Sequence, residues 1–261
     1  MDEDAPGATG GPKSTSVIRP TDEASLRLAR RLVREGRYAA LSVIEPDGGH
    51  PFVSRVLTGT DIDGVPVILA SMLATHTKAL LDDPRCALLL GEPGRGDPLA
   101  WPRITLRCVA ERIVHDSESD ARIRSRFLRR HPKAKLYAGF RDFAFVRLVP
   151  KSASLNGGFG RAYIISGEDL VIDSPLNGYL GVQELQIIED IARRRGEGAD
   201  ALARHYFHEK TDNWCINGID AEGLDLARKE KSRRIDFTNR VSDLNGLIEE
   251  YSNLLNRCGE N

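Results

Sequence analysis

Residues 154–166 read SLNGGFGRAYIIS: three glycines around one phenylalanine, then an arginine, then a run of strand formers. A dinucleotide-binding loop needs G-x-G-x-x-G between a strand and a helix, so that the helix start faces the pyrophosphate. Gly157, Gly158 and Gly160 are spaced differently, and the AYIIS that follows predicts a strand. No Gly-Lys-Ser/Thr follows, which removes a P-loop. Two readings remain. The loop is a tight bend or bulge between strands, or it is a wall against a flat ligand, formed by Gly158, Phe159 and Gly160, with Arg161 available to a carboxylate or phosphate. Both place it within a β-structure rather than in a nucleotide-binding α/β sheet.

The segments upstream have the same character. YAALSVIE, PFVSRVLTGT and VPVILAS are apolar runs with a period near two, separated by the turn chemistry of PDGGH and DIDG. CALLLGE, RITLRCVAERIVH and FAFVRLVP continue the pattern. Helices interrupt it three times. One starts from Thr21 as N-cap, with Leu28, Ala29, Leu32 and Val33 on one face and Gly36 as its stop; HTKALLDDP ends at Pro84; SESDARIRSRFLRRHP is capped by Ser117. This order predicts a β-meander or barrel over residues 17–166 rather than βαβ units. Beyond SPLNG the pattern changes. Residues 167–261 predict a small α/β domain: two helical stretches around an RGEG break, a hairpin in WCINGIDAEGLDLAR, and an amphipathic terminal helix in SDLNGLIEEYSNLL. Residues 1–16, polar and rich in Gly, Pro and Ser, predict a flexible tail.

Composition narrows the function classes. Lys and Arg number 37 against 38 Asp and Glu, for a net charge of -1, so there is no global electrostatic drive toward nucleic acid or an anionic membrane. No signal-peptide pattern or membrane-spanning run is present. The four cysteines are scattered without a CxxC pair, and Cys86 and Cys108 sit in apolar runs suited to buried free thiols. A reducing, cytoplasmic setting and no structural metal are expected.

The residues best suited to hold an anionic cofactor are Arg55, within an otherwise apolar strand, and Ser71, Thr75, His76, Thr77 and Lys78, where a strand passes into a helix. Hydroxyls, cations and free amides at a helix start suit a phosphate. Each also has a plainer role as an exposed strand residue, a helix cap or a solvated charge. His205 and His208 share one helical face, but no acidic or thiolate companion fixes a metal there. No Ser-His-Asp, Cys-His or paired-carboxylate arrangement appears, so the catalytic residues are not identified.

Three blocks taken together, HTKALLDDPR, RHPKAKLYAGFRDFA and GGFGRA, resemble the pyridoxamine 5'-phosphate oxidase-like FMN-binding superfamily, and more closely its HugZ-like haem-utilization group. The likeness extends through WCINGIDAEGLDLARKEKSRRIDF. It implies an α+β fold: a Greek-key split β-barrel with flanking helices, followed by a small C-terminal domain. It also implies a homodimer with haem or FMN in a cleft between subunits, the Arg55 and Ser71–Lys78 cluster near that ligand, and the glycine loop as part of its wall. The functions implied are haem utilization, flavin-dependent oxidoreduction, or a non-catalytic regulatory binding role. The chain departs from haem-degrading members in two places. NLLNRCGEN lacks the histidine their tail gives to iron, and Arg195, Gly196, Glu197 and Gly198 stand where those proteins carry an Asn-x-Asp-His segment.

Overall fold

A computed structural model describes residues 18–158, 160–194 and 198–259. The predicted tail and the centre of the RGEG break lie outside them. Helix α1 (Glu23–Glu35) starts one residue later than the sequence suggests. Asp22 is the N-cap, accepting from the Ser25 amide at 2.7 Å in a reciprocal capping box. The Thr21 hydroxyl instead donates to the Ile164 carbonyl at 3.0 Å. Gly36 is the C-cap, where the backbone leaves the helical conformation, and a Cβ there would lie 2.4 Å from the Leu90 side chain.

Strands β1 (Tyr38–Ile44), β2 (Pro51–Thr60) and β3 (Pro66–Ser71) precede helix α2 (Thr75–Asp82). Strands β4 (Arg85–Leu90) and β5 (Arg103–Arg112), helix α3 (Glu118–Arg130), and strands β6 (Phe143–Asn156) and β7 (Ala162–Ser166) follow. The sheet order is β3-β2-β1-β4-β5-β6-β7, and β3 also pairs with β6, which closes six antiparallel strands into a barrel. Placing β4 beside β1 makes the connection a Greek key. The period of two sorts the side chains: Ala39, Leu41 and Val43 turn inward to meet Leu88, Leu106 and Leu148, while Tyr38, Ala40 and Ser42 turn outward. Cys86 and Cys108 lie directly opposite each other on β4 and β5, buried and free.

Helices α4 (Leu176–Arg194) and α5 (Gly198–Phe207), strands β8 (Cys215–Asp220), β9 (Gly223–Arg228) and β10 (Lys231–Asp236), and helix α6 (Leu244–Cys258) complete the fold. Leu180, Leu202, Ile219, Leu224, Leu247 and Leu254 form a second apolar cluster around the sheet β10-β9-β8. Charge joins the two parts. Arg34 on α1 donates to Asp220 at 2.8 Å, Arg234 reaches Asp220 at 2.7 Å and Asp225 at 3.1 Å, and Arg126 and Arg129 of α3 pair with Glu184. Arg34, Asp220 and Arg234 have side chains only 1% exposed, so each charge depends on the others for compensation.

Candidate functional site

Arg55 stands on β2 directly across from Ala40 of β1, on the outer face of the barrel. Its guanidinium carbon lies 5.5 Å from the centre of the Tyr38 ring, a cation–π arrangement that holds the side chain across the sheet. Among the described residues no carboxylate pairs with it. A depression flanks it on each side. One, of about 330 Å³, is lined by Tyr38, Val53, Ser54, Leu89 and Glu92 among others. The other, of about 290 Å³, is lined by Leu57, Leu69, Ser71, His76, Tyr137 and Phe143 among others. Together they make a trough with aliphatic, aromatic and small polar walls, one carboxylate, Glu92, in the first depression, and one cation, Arg55, shared by both.

The β3-to-α2 junction builds the second half. Ser71 ends β3, donates its hydroxyl to Asp142 at 3.0 Å, and accepts from the Leu73 amide at 3.2 Å, which fixes the bend into α2. The Ala74 carbonyl then accepts from the amides of Thr77 and Lys78. His76, the second residue of the helix, shares a 3.1 Å hydrogen bond between its Nδ1 and the Ser54 hydroxyl of β2. Burial lowers the His76 pKa and favours the neutral ring. Tyr137, from the segment between α3 and β6, and Phe143, the first residue of β6, have ring centres 5.0 Å apart.

Of the residues singled out from sequence, Arg55, Ser71 and His76 line one depression. Thr77 does not join them: it is buried, and its hydroxyl has no partner. Thr75 and Lys78 are exposed on α2 outside the lining. The glycine loop is the β6–β7 hairpin connection, closed by a 2.7 Å bond from the Gly157 amide to the Arg161 carbonyl. Gly158 and Gly160 have φ of +104° and +68°, a left-handed region where side chains are strained. The tight-bend reading therefore describes its backbone. Within one chain Gly158, Gly160 and Arg161 share no lining residue with the trough, and Phe159 lies outside the described residues. Ser54, Leu57, Leu69, Tyr137 and Phe143 were not singled out. The available signals were the outward phase of Leu57 on β2 and the aromatic LYAGFRDF block. His115, Asp116 and Asp120 place ligand-type atoms within 4.8 Å of one another, but Asp120 is already paired with Arg124.

The match to known proteins covers this region. Residues 20–171 match the family model described as CREG, beta-barrel. The chain belongs to this family. The CREG β-barrel segment contains every lining residue named above for the trough. A relative from Arabidopsis thaliana, the chloroplastic non-canonical heme oxygenase HOZ, is 35% identical over 120 residues, 46% of this chain. The match spans 36% of that relative's length. Among solved structures, Atu2129 of Agrobacterium tumefaciens str. C58, of unknown function, is 30% identical with a TM-score of 0.76. That likeness covers 92% of this chain and 100% of the other. A heme binding protein from Mycobacterium smegmatis is 26% identical with a TM-score of 0.53, over 94% of this chain and 100% of that one. The barrel agrees with the split β-barrel that the sequence blocks resemble, and relatives of this CREG β-barrel chain carry haem-related names. No helix among the described residues is long and apolar enough to cross a membrane.

Proposed function

We propose that this protein binds haem in the trough around Arg55, in the service of haem utilization or breakdown. The observation that carries the reading is the trough itself: a mostly apolar depression crossed by one cation that has no ion-paired carboxylate among the described residues, with Glu92 at one end of the lining. A tetrapyrrole needs apolar walls for its face and a cation for its propionates, and these residues supply both. Val53, Leu57, Leu89, Tyr137 and Phe143 would hold the face, Arg55 a propionate, and His76 and Ser71 polar edges. Bound haem supplies the redox chemistry; the protein supplies binding, orientation and exclusion of water. The names of the Arabidopsis and Mycobacterium relatives support this class of ligand.

The functional unit in this proposal is a homodimer. Val53, Leu57 and Leu89 are large exposed apolar side chains on the outer face of the sheet, interleaved with Ala40, Ser42 and Ala87, and Ile164 is exposed on the same face beyond Thr105, Arg107 and Ser154. A second copy on that face would roof the trough, and Gly158, Gly160 and Arg161 can then act only in a site shared between copies. Residues 17–166 form the ligand-binding barrel in this reading, and 167–261 its companion domain. The free state of all four cysteines fits a reducing compartment, and we place the protein in the cytoplasm.

An FMN-dependent oxidoreductase is the second reading. It is favoured by the start of α2 beside Arg55 and Ser71, where helix amides suit a phosphate. It ranks below haem because Ser71 is engaged by Asp142 and Thr77 is buried. Titrating the purified chain separately with haemin and with FMN distinguishes them. A saturable Soret band with no flavin retention is the expected result; flavin binding without a Soret band would transfer the site to FMN, and neither would leave a regulatory binding role.

A further inference from the structure

The trough holds one imidazole, that of His76. Its Nδ1 is committed to the Ser54 hydroxyl at 3.1 Å. Nε2 is therefore the ring atom left to the depression that His76 lines. Iron-binding and other metal-binding histidines carry this arrangement, in which one ring nitrogen donates to a neighbour and fixes both tautomer and ring plane while the other offers its lone pair. We propose that His76 would serve as a ligand to the iron of bound haem through Nε2, with Ser54 as the positioning residue that accepts from Nδ1–H. This rests on the haem reading above.

The other described histidines are placed elsewhere. His131 is buried, with Nε2 bonded to the Thr58 carbonyl at 2.8 Å. His50 lies in the turn between β1 and β2, His115 precedes α3, and His205 and His208 lie at the end of α5. None of these lines the trough. Ser54 and Arg55 alternate on β2, Arg55 facing outward opposite Ala40 and Ser54 turned the other way opposite Leu41, and His76, bonded to Ser54, and Arg55 both line the second depression.

The test is the absorption and electron paramagnetic resonance spectrum of the full chain saturated with ferric haem, compared among wild type, His76→Ala and Ser54→Ala. His76→Ala is expected to shift the Soret band, lose the imidazole-ligand signature and bind at least 10-fold more weakly, with millimolar imidazole restoring the wild-type spectrum. Ser54→Ala is expected to keep the ligand signature while weakening binding about 10-fold. Should His76→Ala lose its far-ultraviolet circular dichroism, the near-isosteric His76→Gln serves the same comparison. A His76 variant that is folded and spectrally identical to wild type overturns the assignment and leaves haem binding standing. A wild type that shows no Soret band removes the haem reading, and this assignment with it.

Discussion

Residue by residue, the least expected feature is how much charge the interior carries. Asp220 resists ionisation through burial, yet Arg234 and Arg34 beside it outweigh that and hold its carboxyl well below the usual carboxylate range. Removing it leaves the buried Arg34 guanidinium without its carboxylate and Arg234 with only Asp225 and Asp236. Asp220→Ala is expected to cost about 3–5 kcal/mol of unfolding free energy, measured by urea denaturation at pH 7. His131 behaves oppositely. Burial pushes its pKa from 6.5 down to about 4, against the favourable bond to the Thr58 carbonyl. Between those values the unfolded chain takes up a proton that the folded chain refuses, so stability is full above about pH 6.5 and declines as pH falls toward 4. The loss from this residue is about 3 kcal/mol at most. Denaturation curves at pH 7.5 and 5 should show the decline, and His131→Gln should make it shallower. Neither effect could be read from sequence, because hydropathy gives Arg34, Arg234 and Asp220 the appearance of surface residues.

At the scale of elements, the barrel strands were legible because one face of each is apolar at a period of two, as in YAALSVI and RCALLL. Strand β10 was not. Its sequence, KSRRID, has one apolar residue, and Arg234 is buried through Asp220 and Asp225 rather than by hydrophobicity. The start of α1 was misplaced by one residue because Thr21 and Asp22 are both good caps, and only the fold shows that Thr21 is taken by Ile164. In the candidate site, Arg55, Ser71 and His76 were legible as polar residues at strand and helix ends. Thr77 shares their chemistry, but its phase on α2 turns it into the core. Tyr137 and Phe143 reach the trough across the closure of β3 on β6, a pairing that no local pattern reveals. The pairing of β9 with β10 gives a check on the small sheet. A Cβ on Gly223 would lie 2.2 Å from the Ile235 carbonyl oxygen. Gly223→Ala is expected to destabilise the protein by about 1–3 kcal/mol, seen as a lower urea midpoint with the haem spectrum unchanged.

Over the whole molecule, the barrel and the small sheet share the Arg34–Asp220–Arg234 network, and Ile62 of the barrel segment packs in the second apolar cluster. The C-terminal segment therefore buttresses α1 and α3, while the trough opens on the outward-turned side of β1 and β2, with Phe127 of α3 in its lining. That outward side is where the proposed dimer forms. Leu89→Asp places a charge within it and is expected to convert the dimer to a monomer by size-exclusion chromatography, with an unaltered circular dichroism spectrum. Elution at the wild-type volume would remove this face from the interface. The placement of haem in the trough is tested most directly by the dissociation constant of haemin for wild type and Arg55→Ala, read at the Soret band. Loss of one charge-assisted hydrogen bond to a propionate predicts binding weakened by about 10- to 100-fold with the fold intact. Equal dissociation constants for the two proteins would contradict that placement.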